Sequence, residues 1–256
     1  MSKFPPDVYA LIDASIAEDQ TFNDPTTQAV VPPEIQGTGW LRAKATGVLA
    51  GVDVAIAVFQ RIDPTLDAKA ILQDGSALCA GDDIAVVRGS AAGILRAERI
   101  ALNFMQRMSG IASDTNRYVE AVRGLKARIV DTRKTAPGHR FLDKYSVRMG
   151  GGYNHRLNLA DGILIKDNHI QANAFREMGL KEVIQLALAR ASHTIKVEVE
   201  VEDMEQVNAA LEAGAHIIML DNMSVSEMAE ATKVIGDKAI VEASGGITYD
   251  LSLIHI

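Results

Sequence analysis

The chain has 256 residues, 48% hydrophobic and 23% charged, a composition typical of a globular protein with a substantial core. Its net charge of −7 excludes a general nucleic-acid-binding protein, which would carry a broad basic surface. The single cysteine, Cys79, excludes a disulfide framework and a cysteine-based zinc site. We find neither a signal peptide nor an apolar run long enough to span a membrane, and we therefore expect a cytoplasmic protein.

The first 91 residues predict a compact α+β module. They mix a short opening helix with strand-like runs separated by turns rich in glycine and proline. From Ala92 onwards, apolar residues recur at steps of three and four, which is the spacing of one buried helical stripe. The stripe consists of Ile94, Ala97, Ala101, Phe104, Met108 and Ile111. Arg99 falls on the opposite face of this helix, where we expect exposure to solvent.

After Gly124, short β-branched runs alternate with helical segments, which is the order of right-handed βαβ units and a parallel sheet. The predicted strands lie within residues 127–132, 161–168, 194–201, 215–222 and 238–246. Nearly every run ends in polar or small residues. In a β/α barrel, such strand ends surround the active site.

Residues 131–170 reverse the sign of the charge. They contain seven Lys and Arg against four Asp, a local charge of +3, so the rest of the chain must sum to −10. A reversal of this size predicts a focused positive field, and the ligand that suits such a field is a small, multiply charged anion.

Five basic residues are candidates for the anion site. Arg133 and Lys134 follow the first predicted strand of the second half and should face the mouth of a pocket. Arginine can hold a carboxylate or phosphate through two parallel N–H bonds, whereas lysine supplies a point charge. His155, Arg156 and Lys166 add donors that can converge there. Any one of them alone is better explained as a surface charge, and only their convergence favours a binding site.

Acidic residues mark the next strands. Glu198, Glu200 and Glu202 alternate with valines, so the period of two places them on one face. Glu200 and Asp221 stand at the ends of neighbouring predicted strands. Two such carboxylates suit Mg²⁺, which keeps several waters and relies on substrate phosphates, or the hydroxyls of a ribose.

Two glycine-rich turns remain ambiguous. Ser244, Gly245 and Gly246 follow a predicted strand and can offer backbone N–H groups to a phosphate, but a plain turn explains them as well. The three glycines at 150–152 have the same two interpretations.

The runs "DTRKTAPG", "GGGYNHRLNLADGILIKDNHI", "VEVEV", "IMLDNM" and "EASGGI" occur in an order and spacing that resembles the quinolinate phosphoribosyltransferase family, also called nicotinate-nucleotide pyrophosphorylase (carboxylating). The likeness covers nearly the whole chain, and its central block is highly specific. It implies an α/β protein of the type II phosphoribosyltransferase fold, with an N-terminal α/β sandwich and an α/β barrel. We accordingly place the sandwich and a linking helix in residues 1–111 and the barrel in residues 112–256.

The resemblance implies that quinolinate and phosphoribosyl pyrophosphate react, with Mg²⁺ present, to give nicotinate mononucleotide, pyrophosphate and CO₂ for NAD biosynthesis. It also implies that the substrates are bound by Arg99, Thr132, Arg133, Lys134, His155, Arg156 and Lys166, with Lys134 on the donor's phosphates. Glu200 and Asp221 are implied to contact ribose and Mg²⁺, and Ser244, Gly245 and Gly246 to bind the 5′-phosphate. In the family, the counterpart of Arg99 reaches across a dimer interface, so a homodimer is implied.

The ending "TYDLSLIHI" departs from the family, whose members continue through a further helix, strand and phosphate-binding loop. We therefore expect an incomplete, C-terminally truncated barrel whose final residues are foreign. Two alternatives remain open on the sequence. One is a catalytically inactive subunit that only dimerises or binds quinolinate, and the other is a paralogous phosphoribosyltransferase for another aromatic carboxylate.

Overall fold

A computed structural model describes residues 4–249. The chain divides into two compact units, the first ending at His155 and the second beginning at Arg156. Within residues 4–249, no helix is both long enough and apolar enough to cross a bilayer. The predicted foreign ending falls largely on residues 250–256, which lie outside the described residues.

The first unit is an α/β module with one core. Strands β1, β5 and β3 form an antiparallel sheet in that order, and β2 pairs with β4. Val87 of β5, Phe59 of α3 and Met108 of α4 belong to the same hydrophobic cluster, so sheet and helices bury one another. The elements are α1 (Pro6–Glu18), a 3₁₀ turn (Thr21–Asn23), α2 (Pro25–Val30), β1 (Gln36–Arg42), β2 (Gly47–Val48), α3 (Val52–Ile62), β3 (Asp67–Ala70), β4 (Ala77–Leu78), β5 (Asp83–Ser90), α4 (Ala91–Ala121) and α5 (Arg140–Met149).

Helix α4 confirms the predicted helical stripe. Ser90 caps its first turn by accepting the Gly93 N–H at 3.2 Å. Ala97 and Ala101 are fully buried, as the stripe requires, and Arg99 on the opposite side is exposed. The helix continues ten residues beyond the predicted stripe, to Ala121.

The three glycines after α5 let the backbone approach α4. A Cβ at Gly150 would lie 2.3 Å from the Ala112 carbonyl oxygen, and one at Gly152 would lie 2.8 Å from the Thr115 Cγ2. Gly151 also has a φ of +89°, which favours glycine. Glycine is therefore needed at residues 150–152 because the backbone packs closely against α4 and turns there.

The prediction of a strand at residues 127–132 is wrong. Within the described residues, this run makes a single parallel bridge, between Val130 and Tyr153. The reason is that the next backbone donor, the His155 N–H, bonds to the Asp131 side chain at 2.9 Å instead of to a backbone carbonyl, and the Lys144 and Asn154 side chains donate to the same carboxylate. A side-chain network takes the place of a strand ladder.

The second unit contains a four-stranded parallel sheet in the order β6-β7-β8-β9, as the alternating pattern predicts. Val197, Val199 and Val201 are fully buried and cluster with residues of α7, α8 and α9. The acids between them lie on the opposite face of the sheet. The elements are β6 (Ile163–Ile165), α6 (Asp167–Gln171), a 3₁₀ turn (Ala174–Arg176), α7 (Leu180–Arg190), β7 (Val197–Val201), α8 (Met204–Ala213), β8 (Ile217–Asp221), α9 (Val225–Ile235) and β9 (Ile240–Ser244).

The predicted fold class is confirmed: an α/β chain with an N-terminal mixed α/β region and a C-terminal parallel sheet.

Candidate functional site

The loop that joins α4 to α5 carries three of the predicted ligand-binding residues. Thr132 and Lys134 line an open cleft of about 290 Å³ in the first unit, together with Asp131 and Lys144. The Thr132 Oγ1 accepts the Lys134 N–H at 3.0 Å, which fixes the backbone in a tight turn. Arg133 and Lys134 were expected at the mouth of a pocket: Lys134 lines this cleft, Arg133 is not among its lining residues, and the ligand-binding role of both stays a prediction.

Arg133 lies between them and is partly buried. Its Nε is inaccessible to solvent and has no hydrogen-bond partner in residues 4–249. The Arg133 carbonyl oxygen accepts a hydrogen bond from Arg140 at 3.5 Å. A buried guanidinium N–H without an acceptor is costly, and a ligand oxygen would satisfy it.

A buried ion pair supports this loop, and sequence reasoning missed it. Lys144 of α5 pairs with Asp131, and the two side chains are only 4% and 8% exposed. Lys144 was counted above among the cations of a positive cluster. Its partner Asp131 was counted there among the acids, so the two charges cancel and the local charge of +3 rests on the other residues of the run. Periodicity cannot reveal such a pair, since its members are 13 residues apart and on different elements.

Helix α5 is anchored at the residue that follows Lys144. The Tyr145 hydroxyl donates to the Asp74 Oδ2 at 2.8 Å, and the Asp74 Oδ1 accepts the first N–H of α3, from Val52, at 3.0 Å. Burial, followed by this hydrogen bond to Asp74, raises the pKa of the Tyr145 hydroxyl.

In the second unit, the predicted cations have specific partners. The Arg156 Nη1 donates to the Gly162 carbonyl at 3.3 Å, while its buried Nε has no partner in the described residues. Lys166 forms an ion pair with Glu200, whose side chain is 18% exposed. The structure thus brings together one predicted carboxylate-binding cation and one predicted ribose- or Mg²⁺-binding acid.

The parallel register aligns the remaining candidates at the carboxyl ends of β8 and β9. Asp221 is the register partner of Ser244. Glu200 pairs with Met219, two residues before Asp221, so both carboxylates lie on the same face of the sheet. Carboxylate oxygens on one face fit the chemistry of Mg²⁺, although Lys166 already compensates the charge of Glu200.

Asn222 shapes the turn after β9, a role that the sequence did not indicate. Its Nδ2 donates to the Asp221 Oδ2 at 2.8 Å, and its backbone N–H donates to the Ser244 carbonyl at 3.0 Å. A Cβ at Gly245 would lie only 2.2 Å from the Asn222 Oδ1. Gly245 and Gly246 have φ angles of +74° and +64°. The predicted phosphate-binding turn therefore requires glycine at position 245 for both conformation and space.

Comparison with known protein families shows to which family this chain belongs. The family model of the quinolinate phosphoribosyl transferase N-terminal domain matches residues 24–109, and that of the C-terminal domain matches residues 111–252. The chain belongs to the quinolinate phosphoribosyltransferase family.

Relatives in this family are similar over most of their length. The nicotinate-nucleotide pyrophosphorylase [carboxylating] of Mycobacterium leprae is 40% identical over 251 residues, which cover 95% of this chain and 86% of the relative. The mitochondrial quinolinate phosphoribosyltransferase [decarboxylating] 2 of Nicotiana glauca is 38% identical, with 95% of this chain and 73% of the relative covered. The crystal structure of NadC from Streptococcus pyogenes superposes with a TM-score of 0.91 at 39% identity, covering 99% of this chain and 88% of that one.

Proposed function

We propose that this family member is a decarboxylating quinolinate phosphoribosyltransferase, which converts quinolinate and phosphoribosyl pyrophosphate into nicotinate mononucleotide, pyrophosphate and CO₂. The observation that carries the proposal beyond family membership concerns unsatisfied donors. Within residues 4–249, four buried side-chain nitrogens lack a hydrogen-bond partner, and two of them are the Nε atoms of Arg133 and Arg156. Both arginines belong to the set that the family resemblance assigns to the quinolinate carboxylates, and a carboxylate supplies the acceptors they lack.

Each remaining candidate takes the role expected for its chemistry. Thr132, His155 and Lys166 join the two arginines around quinolinate, and Arg99 is contributed by the partner subunit of a homodimer. Lys134 binds the donor's phosphates. The glycine turn at Ser244–Gly246 binds the 5′-phosphate, because glycine permits close approach of a phosphate to backbone N–H groups.

Bond making at the sugar requires little covalent help from the protein. The pyridine nitrogen attacks the anomeric carbon as the bond to pyrophosphate breaks, through a transition state with oxocarbenium character. The carboxylates of Glu200 and Asp221 stabilise its positive charge. Holding the two substrates in a reactive orientation lowers the activation free energy by on the order of 7–11 kcal/mol.

Loss of CO₂ follows from the charge created in the first step. The bond from ring carbon to the 2-carboxylate breaks, its electron pair stays on the ring carbon beside the pyridinium nitrogen, and a proton from solvent replaces the carboxylate. We assign no general base among the side chains.

Mg²⁺ is the proposed cofactor. Bound mainly through the substrate, it would supply positive charge that compensates the pyrophosphate leaving group. Glu200 and Asp221 are the carboxylates that would hold it from the protein. Cytoplasmic location stays a prediction.

The test is a turnover assay of purified protein with quinolinate, phosphoribosyl pyrophosphate and Mg²⁺, following nicotinate mononucleotide and CO₂ together. We expect equal amounts of the two products, and an Arg133→Ala variant that remains folded but loses most activity. Absence of product from folded wild-type protein would refute the proposal. Equal turnover of nicotinate, which has one carboxylate, would refute the dicarboxylate specificity.

A further inference from the structure

The ion pair between Asp131 and Lys144 holds the backbone of one residue, His155, at two points. Asp131 Oδ1 accepts the His155 N–H at 2.9 Å, and the Lys144 Nζ donates to the His155 carbonyl oxygen at 3.1 Å. The Asn154 Nδ2 donates both to Asp131 and, at 2.9 Å, to the Lys144 carbonyl oxygen. The backbone around His155 is therefore held directly by the charged pair.

The same pair holds a second segment that is distant in sequence. Asp131 immediately precedes Thr132, Arg133 and Lys134, so fixing its side chain against α5 also fixes where that loop begins. Buried ion pairs seldom add stability over apolar residues of the same size, because desolvation offsets their attraction. What this pair supplies instead is geometry: it ties the 131–134 segment and His155 to one helix.

We propose that Asp131 and Lys144 are positioning residues for the quinolinate-binding side chains, acting through the backbone of residues 132–134 and 155. This role rests on the proposed function. Lys144 lines the cleft, but its charge is compensated by Asp131 and its side chain is only 4% exposed. Its effect on an anionic ligand therefore passes through Asp131 and the segments that the pair holds.

A double-mutant cycle tests this role by titrating quinolinate into the full-length protein in a calorimeter without the phosphoribosyl donor. The proteins compared are wild type, Lys144→Met, Asp131→Asn and the double variant. Because misplacing binding groups by about 1 Å costs up to roughly 100-fold, we expect each single change to raise the Kd roughly 10- to 100-fold. The double variant should be no weaker than the weaker single variant, because the two residues hold the same segments as a unit and each single change leaves the other charge buried and unpaired.

Direct contact between Lys144 and quinolinate would give a different cycle. The loss from Lys144→Met would then persist in the Asp131→Asn background, and the two effects would multiply. That result, or a Kd within about twofold of wild type in both single variants, would overturn the positioning role. Should Lys144→Met not fold, Asp131→Asn decides by itself, because asparagine keeps the size and one acceptor oxygen of the original side chain.

A matched control separates positioning from general support of the fold. Val58 of α3 is fully buried, and Val58→Ala should lower the unfolding midpoint while leaving the Kd and the KM for quinolinate unchanged. A purely structural role for Lys144 predicts the same behaviour, whereas positioning predicts a raised KM in the folded protein. Wild-type protein that binds no quinolinate would refute the proposed function and this role together. Wild-type binding with unaltered variants would refute the positioning role alone.

Discussion

Gly245 turns the chain after β9 in a conformation and a space that exclude a side chain. Its φ is +74°, and a Cβ would meet the Asn222 side chain at 2.2 Å and the Asn222 backbone nitrogen at 2.8 Å. We expect Gly245→Ala to displace this turn, lowering the free energy of unfolding by about 1–3 kcal/mol. The affinity for phosphoribosyl pyrophosphate should fall at least roughly tenfold, since the turn is the proposed 5′-phosphate site.

A control for backbone strain alone is Gly214→Ala at the end of α8. Gly214 also has a positive φ, +86°, but its added Cβ would meet nothing closer than 3.8 Å. It should lose about 1–2 kcal/mol of stability and keep its donor affinity, measured by calorimetry. Equal donor affinity in both variants would remove the glycine turn from the binding site.

The structural role of a residue could be predicted from the sequence where a short local motif determines that role. The turn at Ser244–Gly246 and the exposed position of Arg99 follow from local pattern. Asn222 and Lys144 do not, because their importance depends on atoms brought close by the fold. No periodicity marks which lysine in a basic stretch is buried. The assigned ligand roles of the site residues stay predictions.

Helices α4 and α5 are joined by a bidentate ion pair. The Arg107 guanidinium donates to both oxygens of Asp143, at distances of 2.8, 3.0 and 3.1 Å. The Asp143 side chain is 10% exposed and the Arg107 side chain 41%. Arg107→Met removes these donors and leaves a buried carboxylate that still accepts the Ala136 N–H at 3.2 Å.

We therefore expect Arg107→Met to lower the free energy of unfolding by about 1–3 kcal/mol in urea titrations. Arg117→Met is the comparison, because the Arg117–Asp114 pair lies within α4 and both side chains are more than 60% exposed. Its loss should stay below about 0.5 kcal/mol. Similar losses in the two variants would show that burial of Asp143 is unimportant.

Tyr145 makes the stability of the first unit sensitive to alkaline pH. Burial and the hydrogen bond to Asp74 raise its pKa, so the native state keeps a proton that the unfolded chain releases near pH 10. Above that pH the unfolded state binds fewer protons than the native state, and the free energy of unfolding falls as pH rises. Urea titrations at about pH 9 and about pH 11 should show a smaller fall in Tyr145→Phe than in wild type. An identical fall would place the alkaline sensitivity elsewhere.

The spacing of apolar residues predicted helices and strands correctly where one face of the element is buried. The stripe that became α4 and the runs that became β6 to β9 were predicted because each buries apolar residues at a regular spacing. The run at 127–132 has strand-forming residues too, yet it makes one bridge because Asp131 is drawn into side-chain bonds. Local propensity was overridden there by contacts that the sequence does not display.

For the molecule as a whole, we predict that each binding site is built from residues of both subunits. In the proposed homodimer, each site takes Arg133 from one subunit and Arg99 from the other, so Arg99→Ala and Arg133→Ala proteins should each be nearly inactive. Mixed in equal amounts and allowed to exchange subunits, they should recover about one quarter of wild-type activity, because half of the dimers are hybrids with one intact site. No recovery despite hybrid formation, verified by native mass spectrometry, would show that Arg99 serves its own chain.

The division into two domains between residues 111 and 112 also stays a prediction.

Helix α4 has a consequence for how sequences in this family can be recombined. The two family-model ranges end at residue 109 and begin at residue 111, in the middle of a helix that runs unbroken from Ala91 to Ala121. Met108 and Ala112, on either side of that seam, are both buried. A chimera of two relatives joined there inherits one helix from two parents, and its apolar stripe must remain in phase across the junction. Crossovers placed in the exposed turn after Ala121 leave the helix from a single parent and should be tolerated more often.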